Sequence, residues 1–463
     1  MTRSPRITVE LLKKYDRPGP RYTSYPTAVE FAETFGPAEY AARLTEADRA
    51  TGPLSLYAHL PFCEHRCTFC GCHVVITKDA QIVENYLGYL HREIDLLAAH
   101  LPNRRRVSQY HWGGGTPTHL TPAEMEALHR KLTDHFTLEP DAEVAIEVDP
   151  RVTTVEQIDV LRSLGFNRLS MGVQDFDPDV QAAVDRNQTE KQTRTLYEIA
   201  RAKGFGSINL DLIYGLPLQT GEKFGRTVDV VIAMRPDRIA LYSYAHVPWI
   251  RAQQKWIDPK TLPSPEDKLQ LFLDARGRFL EAGYVEIGMD HFALPGDELA
   301  EARGKRRLHR NFMGYTVKMG TDMVAVGVSG IGDVRGAFAQ NEKKLSRYYQ
   351  VLDTGRFPVE RGYALDRDDA IRRETISRLM CNLWLDTRAI EREFDIVFAT
   401  YFAPELAALF APDGPVAEGF VAVEPDHIEV VGLGRFFVRN VAMTFDRYLA
   451  SRTTERPIFS RTV

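Results

Sequence analysis

The sequence predicts an α/β fold: a parallel sheet or barrel in the first half and a helix-rich second domain behind it. Three observations predict this. From about residue 55 to 247 short apolar strands alternate with amphipathic helical patterns, the signature of a parallel α/β architecture. Each strand nevertheless carries one polar face, whereas strands buried on both faces read as near-continuous hydrophobic runs. After residue 248 the strand-helix rhythm gives way to longer helical patterns.

Six strands are read, at 55–60, 107–112, 143–148, 168–174, 207–213 and 239–245. Between the first two, Ile82, Tyr86, Leu90, Ile94 and Leu97 recur at helical spacing and mark a covering helix. Leu56, Ala58 and Leu60 oppose Ser55, Tyr57 and His59; Val144, Ile146 and Val148 oppose Glu143 and Glu147. Leu169, Met171 and Val173 oppose Ser170 and Gln174, and Leu210, Leu212 and Tyr214 oppose Asn209 and Asp211. Packing the apolar set against helices leaves the polar set lining a curved sheet. Tyr57, Glu147, Gln174 and Asp211 then fall near strand C-terminal ends, where barrel active sites form. Any one of these residues could instead satisfy a neighbouring loop's backbone; four in series favour a lined cavity. The second half holds a helix at about 265–282, a Gly-rich stretch at 314–332 and a helix-rich tail from about 367. Within that tail, 418–424 and 427–431 resemble a hairpin flanked by helices, the outline of a winged-helix-like module without a densely basic recognition helix.

The 463 residues are 44% hydrophobic and 26% charged, enough to bury a full core in more than one domain. A formal net charge of -5 offers no general attraction for nucleic acid or anionic lipid. No apolar segment follows the opening Met-Thr-Arg-Ser-Pro-Arg, and no run of about 18 apolar residues occurs. A cytoplasmic protein without a membrane span or nucleic-acid partner is therefore expected. Four of the five cysteines lie between Cys63 and Cys72, a clustering that favours a metal site over a disulfide framework. Cys381, among Leu379, Met380, Leu383 and Trp384, reads as a buried unreactive thiol.

Cys63, Cys67, Cys70 and Cys72 form CxxxCxxCxC directly after the first strand. A loop at a strand's C-terminal end can wrap three thiolates around a cubane, whereas a regular helix would splay them over different faces. A 4Fe-4S cluster held by three cysteines keeps one iron open to the amino and carboxylate groups of S-adenosylmethionine. Structural zinc uses two ligand pairs separated by a longer loop and fits four cysteines in ten residues poorly. A redox dithiol would need only an isolated C-x-x-C. After the second strand comes Gly113-Gly114-Gly115-Thr116-Pro117-Thr118. Its glycines permit close backbone approach to a ligand, and it lacks the Lys-Ser/Thr of a phosphate-binding P-loop. Beside the cysteine loop its backbone groups could hold a ligand's amino group.

CxxxCxxC after the first strand with a glycine run after the second resembles the radical S-adenosylmethionine superfamily. The closer resemblance is to the oxygen-independent coproporphyrinogen III oxidase family, also called coproporphyrinogen III dehydrogenases, and covers nearly the whole chain. It is carried by YDRPGPRYTSYP from Tyr15 to Pro26, the full CxxxCxFCGC, Met289-Asp290-His291-Phe292, His309-Arg310-Asn311-Phe312 and the C-terminal helical domain. The resemblance implies a partial (β/α)6 radical-SAM barrel. It divides the chain into an N-terminal arm and lead-in (1–50), the barrel (51–250), a linking helix with a barrel-completing segment (251–360) and the helix-rich C-terminal domain (361–463).

Carried onto this chain, the resemblance makes Cys63, Cys67 and Cys70 the cluster ligands. Tyr57 and Phe69 stand beside a first S-adenosylmethionine, with Gly114, Gly115, Thr116 and Glu147 continuing that pocket. Gln174, Arg186, Asp211, Ala245 and Ile331 match positions lining a cavity shared with a second S-adenosylmethionine. Glu147 and Asp211 would bond ribose hydroxyls or an amino group, and Arg186 would pair with a carboxylate. Tyr57, His59 and Cys72 are the candidates for a part in catalysis, His59 by tuning the cluster or shuttling a proton; Cys72 matches a fourth cysteine that is not a ligand. One departure follows Ser329, where Gly330-Ile331-Gly332-Asp333-Val334-Arg335-Gly336 differs from the family's pattern although Ile331 is kept.

The implied reaction converts the A and B ring propionates of coproporphyrinogen III to vinyl groups, giving protoporphyrinogen IX in haem biosynthesis through a 5'-deoxyadenosyl radical. Implied partners are that substrate and an electron donor such as flavodoxin or ferredoxin, with the chain a monomer. Because the substrate carries four carboxylates, Arg17 and Arg21 are expected to present guanidinium groups from an arm folded over the barrel mouth. Two rivals share the scaffold, a haem-delivering chaperone and a radical-dependent haem-degrading methyltransferase; Cys72 and the arginine-bearing arm argue against the chaperone.

Overall fold

In the computed structural model, which describes residues 7–318, 322–449 and 459–462, the six expected strands are present. They are β1 (Leu54–Leu60), β2 (Arg106–Gly114), β3 (Thr137–Val148), β4 (Arg168–Gln174), β5 (Ser207–Tyr214) and β6 (Arg238–Ser243). They pair in parallel and in chain order. The last strand stops at Ser243 rather than 245, and Ala245 lies in the loop beyond it. The opening hexapeptide and residues 319–321 of the Gly-rich stretch lie outside the described residues.

The sheet reaches beyond these six strands at both edges. β7 (Val285–Ile287) and β8 (His291–Ala293) add antiparallel strands next to β6. On the other side β9 (Met323–Val326), inside the Gly-rich stretch, joins β1 as a further parallel strand. β10 (Ile331–Val334), β11 (Ala337–Asn341) and β12 (Val359–Ala364) follow it antiparallel, making a sheet of twelve strands among the described residues. Glycine hides this region from hydrophobic patterning because it serves the turns: Gly327 and Gly336 have φ of 98° and 68°, which other residues adopt only under strain.

Helices cover the outer face, and their starts follow side-chain chemistry. α1 (Ala80–His100) is capped by Asp79. α2 (Pro122–Thr133), α3 (Val155–Ser163) and α4 (Glu190–Ala202) each begin with a reciprocal box, Thr121 with Glu124, Thr154 with Gln157 and Thr189 with Gln192, which satisfies backbone donors that a helix start leaves open. α5 (Gly221–Met234) and α6 (Pro265–Glu281) complete the layer. The outward residues of the strands, among them Ile146, Leu210 and Leu212, are fully buried against it. Inward residues such as Ser170, Asn209 and Asp211 are only half-buried, so the polar face does line an interior.

The C-terminal domain combines α7 (Arg367–Asn382) with a three-stranded sheet of β13 (Trp384–Asp386), β14 (Val421–Val423) and β15 (His427–Val430), with β15 central. Its apolar core includes Tyr15, Tyr22 and Tyr25 from the N-terminal arm. The arm is also tied polar to polar: Asn440 Nδ2 donates to Tyr15 O at 2.8 Å, and the Tyr22 hydroxyl donates to Asp446 at 2.8 Å. Among the described residues no helix is long and apolar enough to cross a membrane.

Phe166 is fully buried and packs edge-on against Trp112, 5.0 Å between centroids. Phe166→Ala should cost about 3–5 kcal/mol through the cavity it leaves, read as a lowered thermal midpoint with iron and ligand binding compared at low temperature.

Candidate active site

The cysteine loop leaves β1 at the mouth of the sheet, where its backbone is fixed on several sides. Val75 N donates to Pro61 O at 2.7 Å, Thr77 N to Cys63 O at 3.1 Å, and Thr68 N to Val184 O at 3.0 Å. From beneath, Gln254 Nε2 donates to the carbonyls of Phe69 (3.2 Å) and Ala245 (3.1 Å), and Gln253 Nε2 to that of Cys70. Cys63, Cys67, Cys70 and Cys72 all line a cavity of about 510 Å³, Cys67 buried and Cys72 exposed. Among the described residues no three His, Cys, Asp or Glu side chains close around a single metal ion; the thiols rim an opening instead.

The glycine run after β2 locks this loop in place. Gly115 N donates to Leu60 O at 2.8 Å and Thr116 N to Phe62 O at 2.7 Å, while the Thr116 hydroxyl lies 3.4 Å from Cys63 Sγ. A Cβ on Gly115 would stand 2.6 Å from the Pro61 carbonyl, and one on Gly114, whose φ is 118°, 2.6 Å from the His59 ring. Gly114 N is likewise committed, to Glu147 Oε2 at 3.1 Å. The expectation that backbone groups here grip an amino group is thus corrected in one respect: the amides are spent on the fold. An ammonium, itself a donor, would be taken by carbonyl oxygens.

Around Cys67 the charge is positive. Arg186 Nη1 and Arg151 Nη2 each point at its sulfur from 3.7 Å, and both guanidiniums are held by Asp149, at 3.2 and 2.7 Å. Burial would raise the Asp149 carboxyl, but Arg186 and Arg151 hold it below its usual range. This corrects the reading of Arg186 as a group free to pair with a ligand carboxylate: Asp149 already occupies it, and Nη2 donates to Gly172 O at 2.7 Å. Two cations beside this sulfur would balance the negative charge of a thiolate-held cluster. Gln174 Oε1 and Arg186 Nε are buried without a partner, and Gln174 sits at φ 67°; both line the same cavity. Buried polar atoms left open in this way fit a polar ligand, and the donor set fits a thiolate-held cluster.

Deeper in the barrel, Glu147, Ser170, Asp211 and Tyr242 line both this cavity and the polar interior below it. Asp211 accepts from Ser170 Oγ (3.1 Å) and Asn209 Nδ2 (2.8 Å). Burial, aided by the Glu147 charge, pushes its carboxyl up to about 6. Burial would also raise Glu147, but His111, with Nε2 3.5 Å from Oε1, and the Gly114 amide keep it low.

Tyr57 and His59 do not line the cavity wall directly. The Tyr57 ring stacks on His111 at 5.8 Å and its hydroxyl donates to His59 Nδ1 at 3.1 Å. His59 Nε2 is 3.1 Å from His73 O, which places its proton on that nitrogen. Burial drops His59 to about 4, so it is neutral near pH 7 and holds Tyr57 and the loop instead of shuttling a proton from solvent. Ile331 lies on β10, two residues beyond Ser329, whose hydroxyl reaches His59 Nε2 at 3.4 Å; it stands outside the cavity lining. Arg17 is exposed and lines neither barrel cavity, contrary to expectation. Arg21 reaches the barrel end but is ion-paired with Asp290. Burial would raise Asp290, and Arg21 with His291 holds it well below the usual carboxylate range.

Sequence reasoning missed His111, Asp149, Arg151, Gln253 and Gln254. His111 continues the polar face of β2, and Asp149-Pro150-Arg151 directly follows β3 at the mouth, so both had a positional signal. The glutamines sit in an irregular 3-10 turn without one.

Parallel strands that present a three-cysteine loop and a glycine run at one mouth define a radical S-adenosylmethionine enzyme, and the Radical SAM superfamily model matches residues 57–231. The chain is 46% identical to the oxygen-independent coproporphyrinogen III oxidase of Escherichia coli (strain K12) over 98% of each chain. It is 41% identical to that of Synechocystis over 99% of this chain and 98% of the relative. The solved structure of the E. coli coproporphyrinogen III oxidase, described as a radical SAM enzyme, superposes with a TM-score of 0.90 at 44% identity, over 96% of this chain and 99% of that one. This chain belongs to the oxygen-independent coproporphyrinogen III oxidase family.

Gly115→Ala should displace the Pro61–Phe62 backbone and with it Cys63. Reconstitution under anaerobic conditions is expected to yield protein with far less bound iron, at an unchanged far-ultraviolet circular dichroism spectrum.

Proposed function

We infer that the chain catalyses the oxygen-independent oxidative decarboxylation of two propionates of coproporphyrinogen III to vinyl groups, giving protoporphyrinogen IX in haem biosynthesis. The observation that carries this reading is the cysteine-rimmed cavity, with two guanidiniums aimed at Cys67 and unpartnered polar atoms in its wall. A 4Fe-4S cluster held by the three cysteines would supply the electron for reductive cleavage of S-adenosylmethionine to methionine and a 5'-deoxyadenosyl radical, and the decarboxylation that radical would initiate at the propionate β-carbon would release carbon dioxide and pass one electron to an external acceptor.

Cys63, Cys67 and Cys70 hold the cluster, and Arg151 and Arg186 balance the charge of its sulfur shell. Phe69, Gly114, Gly115, Thr116 and Glu147 bind the first S-adenosylmethionine, with Tyr57 braced behind them. Gln174, Arg186, Asp211, Ala245 and Ile331 match positions of the cavity shared with a second; Gln174, Asp211 and Ala245 line it, Arg186 lines it while held by Asp149, and Ile331 stands outside the lining. Two separate acidic acceptors in one cavity, Glu147 and Asp211, support a pair of such molecules. Cys72, on the exposed lip, is the thiol available to the reaction, and His59 acts through Tyr57. The loop reaches the surface at His65, Arg66, Gly71 and Cys72, which supports electron delivery there by a donor such as flavodoxin or ferredoxin. The chain acts as a monomer in the cytoplasm.

Anaerobic incubation with S-adenosylmethionine, a reductant and coproporphyrinogen III is expected to give a vinyl-bearing product. Tight haem binding without turnover would replace this reading by that of a haem chaperone, and transfer of a methyl group to haem by that of a methyltransferase. Cys67→Ser should abolish turnover and lower bound iron, whereas Cys72→Ala should keep its iron.

The Asp211 carboxyl, raised to about 6, is charged above that pH and protonated below it. As pH falls from 8 to 5 the KM for S-adenosylmethionine should therefore rise as an acceptor is lost, and Asp211→Asn should flatten the profile at the high-KM level.

A further inference from the structure

A second cavity, of about 80 Å³, lies between the ends of β5 and β6 and the C-terminal domain. Ser243 lines both it and the cysteine-rimmed cavity, so the two meet at that residue. Its walls are apolar at Leu241, Phe272, Met289, Leu383 and Phe436.

Five arginines face this space, against only two carboxylates, Asp290 and Glu286. Arg21 is paired with Asp290 and Arg461 with Asp16, while Arg435 shares Glu286 (2.7 Å) with Arg276. Arg439 meets uncharged oxygens, among them Pro20 O at 3.0 Å and Arg461 O at 2.7 Å. The half-buried Arg303, in the last turn of the helix Glu298–Gly304, makes no side-chain hydrogen bond or ion pair among the described residues. All three Arg439 nitrogens are thus spent on Pro20, Arg461, Gly19 and Ser460; guanidinium groups keep their charge at neutral pH, and an unpartnered one such as Arg303 in an apolar recess is costly unless an anion joins it.

We propose that this recess receives the propionates of the tetrapyrrole that survive the reaction, with Arg303 binding carboxylate and Arg439, its donors held by backbone, adding positive charge. The assignment rests on the decarboxylation reading above. The apolar walls match a propionate's two methylenes and the guanidiniums its terminal carboxylate. The macrocycle then lies across Ser243 and turns its other two propionates toward the cysteine-rimmed cavity. Burial presses the Arg303 guanidinium below its ordinary range, with Glu286 opposing and Arg435 adding, as expected of a cation awaiting its partner.

The test uses the full chain carrying Arg303→Ala, which removes no described contact, and Arg303→Lys. Probes are coproporphyrin III, with four propionates, and protoporphyrin IX, which retains only the surviving pair. Expected is a weakening of about tenfold or more for both porphyrins alike. The KM for coproporphyrinogen III should rise in parallel with kcat within about twofold, iron content and S-adenosylmethionine cleavage unchanged, and Arg303→Lys largely restored. Unchanged affinities and KM overturn the proposal, and so does weakening of coproporphyrin III alone, which would put the reacting arms here. If the unsubstituted chain cleaves S-adenosylmethionine yet forms no vinyl product while Arg303→Ala still loses both porphyrins, the anion site stands and the decarboxylation reading fails.

Discussion

The active site depends on one backbone contact, the pressing of the glycine run after β2 against the chain that enters the cysteine loop. Two amide-to-carbonyl bonds, from Gly115 to Leu60 and from Thr116 to Phe62, extend the β1–β2 pairing past the end of the sheet. No side chain fits between the two segments. A loop of irregular backbone cannot otherwise hold three thiols at fixed separations, because each free residue would cost about 1–2 kcal/mol to order. The rigidity of the parallel sheet is thereby passed on to the cysteines.

Charge around this frame is graded. Guanidiniums of Arg151 and Arg186 gather at the sulfur end, where Asp149 orients both. Carboxylates of Glu147 and Asp211 stand farther in, and a further cationic recess opens beside the C-terminal domain. A site handling an anionic cluster, a sulfonium with an amino acid tail and a polycarboxylate needs such separation, since in one common pocket these charges would neutralise one another.

The barrel strands were legible in the sequence because their two faces differ: Leu210 and Leu212 against Asn209 and Asp211 set a period of two that survives in the burial pattern. The cysteine loop was legible from spacing alone. What escaped was whatever depends on residues far apart in sequence. β9 is followed by Gly327 and Gly330, and β10 contains Gly332, so patterning reads the stretch as loop, and Gln254 supports the cysteine loop from more than 180 residues away. Arg17 and Arg21, taken together in the sequence, part in the structure for a similar reason. Arg21 is neutralised by Asp290, a partner 269 positions distant, and Arg17 turns to solvent. The fold's polarity is thus written locally, while the pairing of its charges is written in three dimensions.

The tyrosines of the N-terminal arm are part of the C-terminal domain's core, and Arg17 N–H and C=O both bond Thr462. The arm therefore finds its partners only once the C-terminal domain, more than 400 residues on, has been made. Until then Tyr15, Tyr22 and Tyr25 have no apolar surface to bury against, and the C-terminal core is short of three large side chains. Closure of so long a loop comes late and is entropically expensive. Among the described residues the lining of the cysteine-rimmed cavity runs from Cys63 to Gln254 and takes nothing from the C-terminal domain, so that cavity does not wait on this closure.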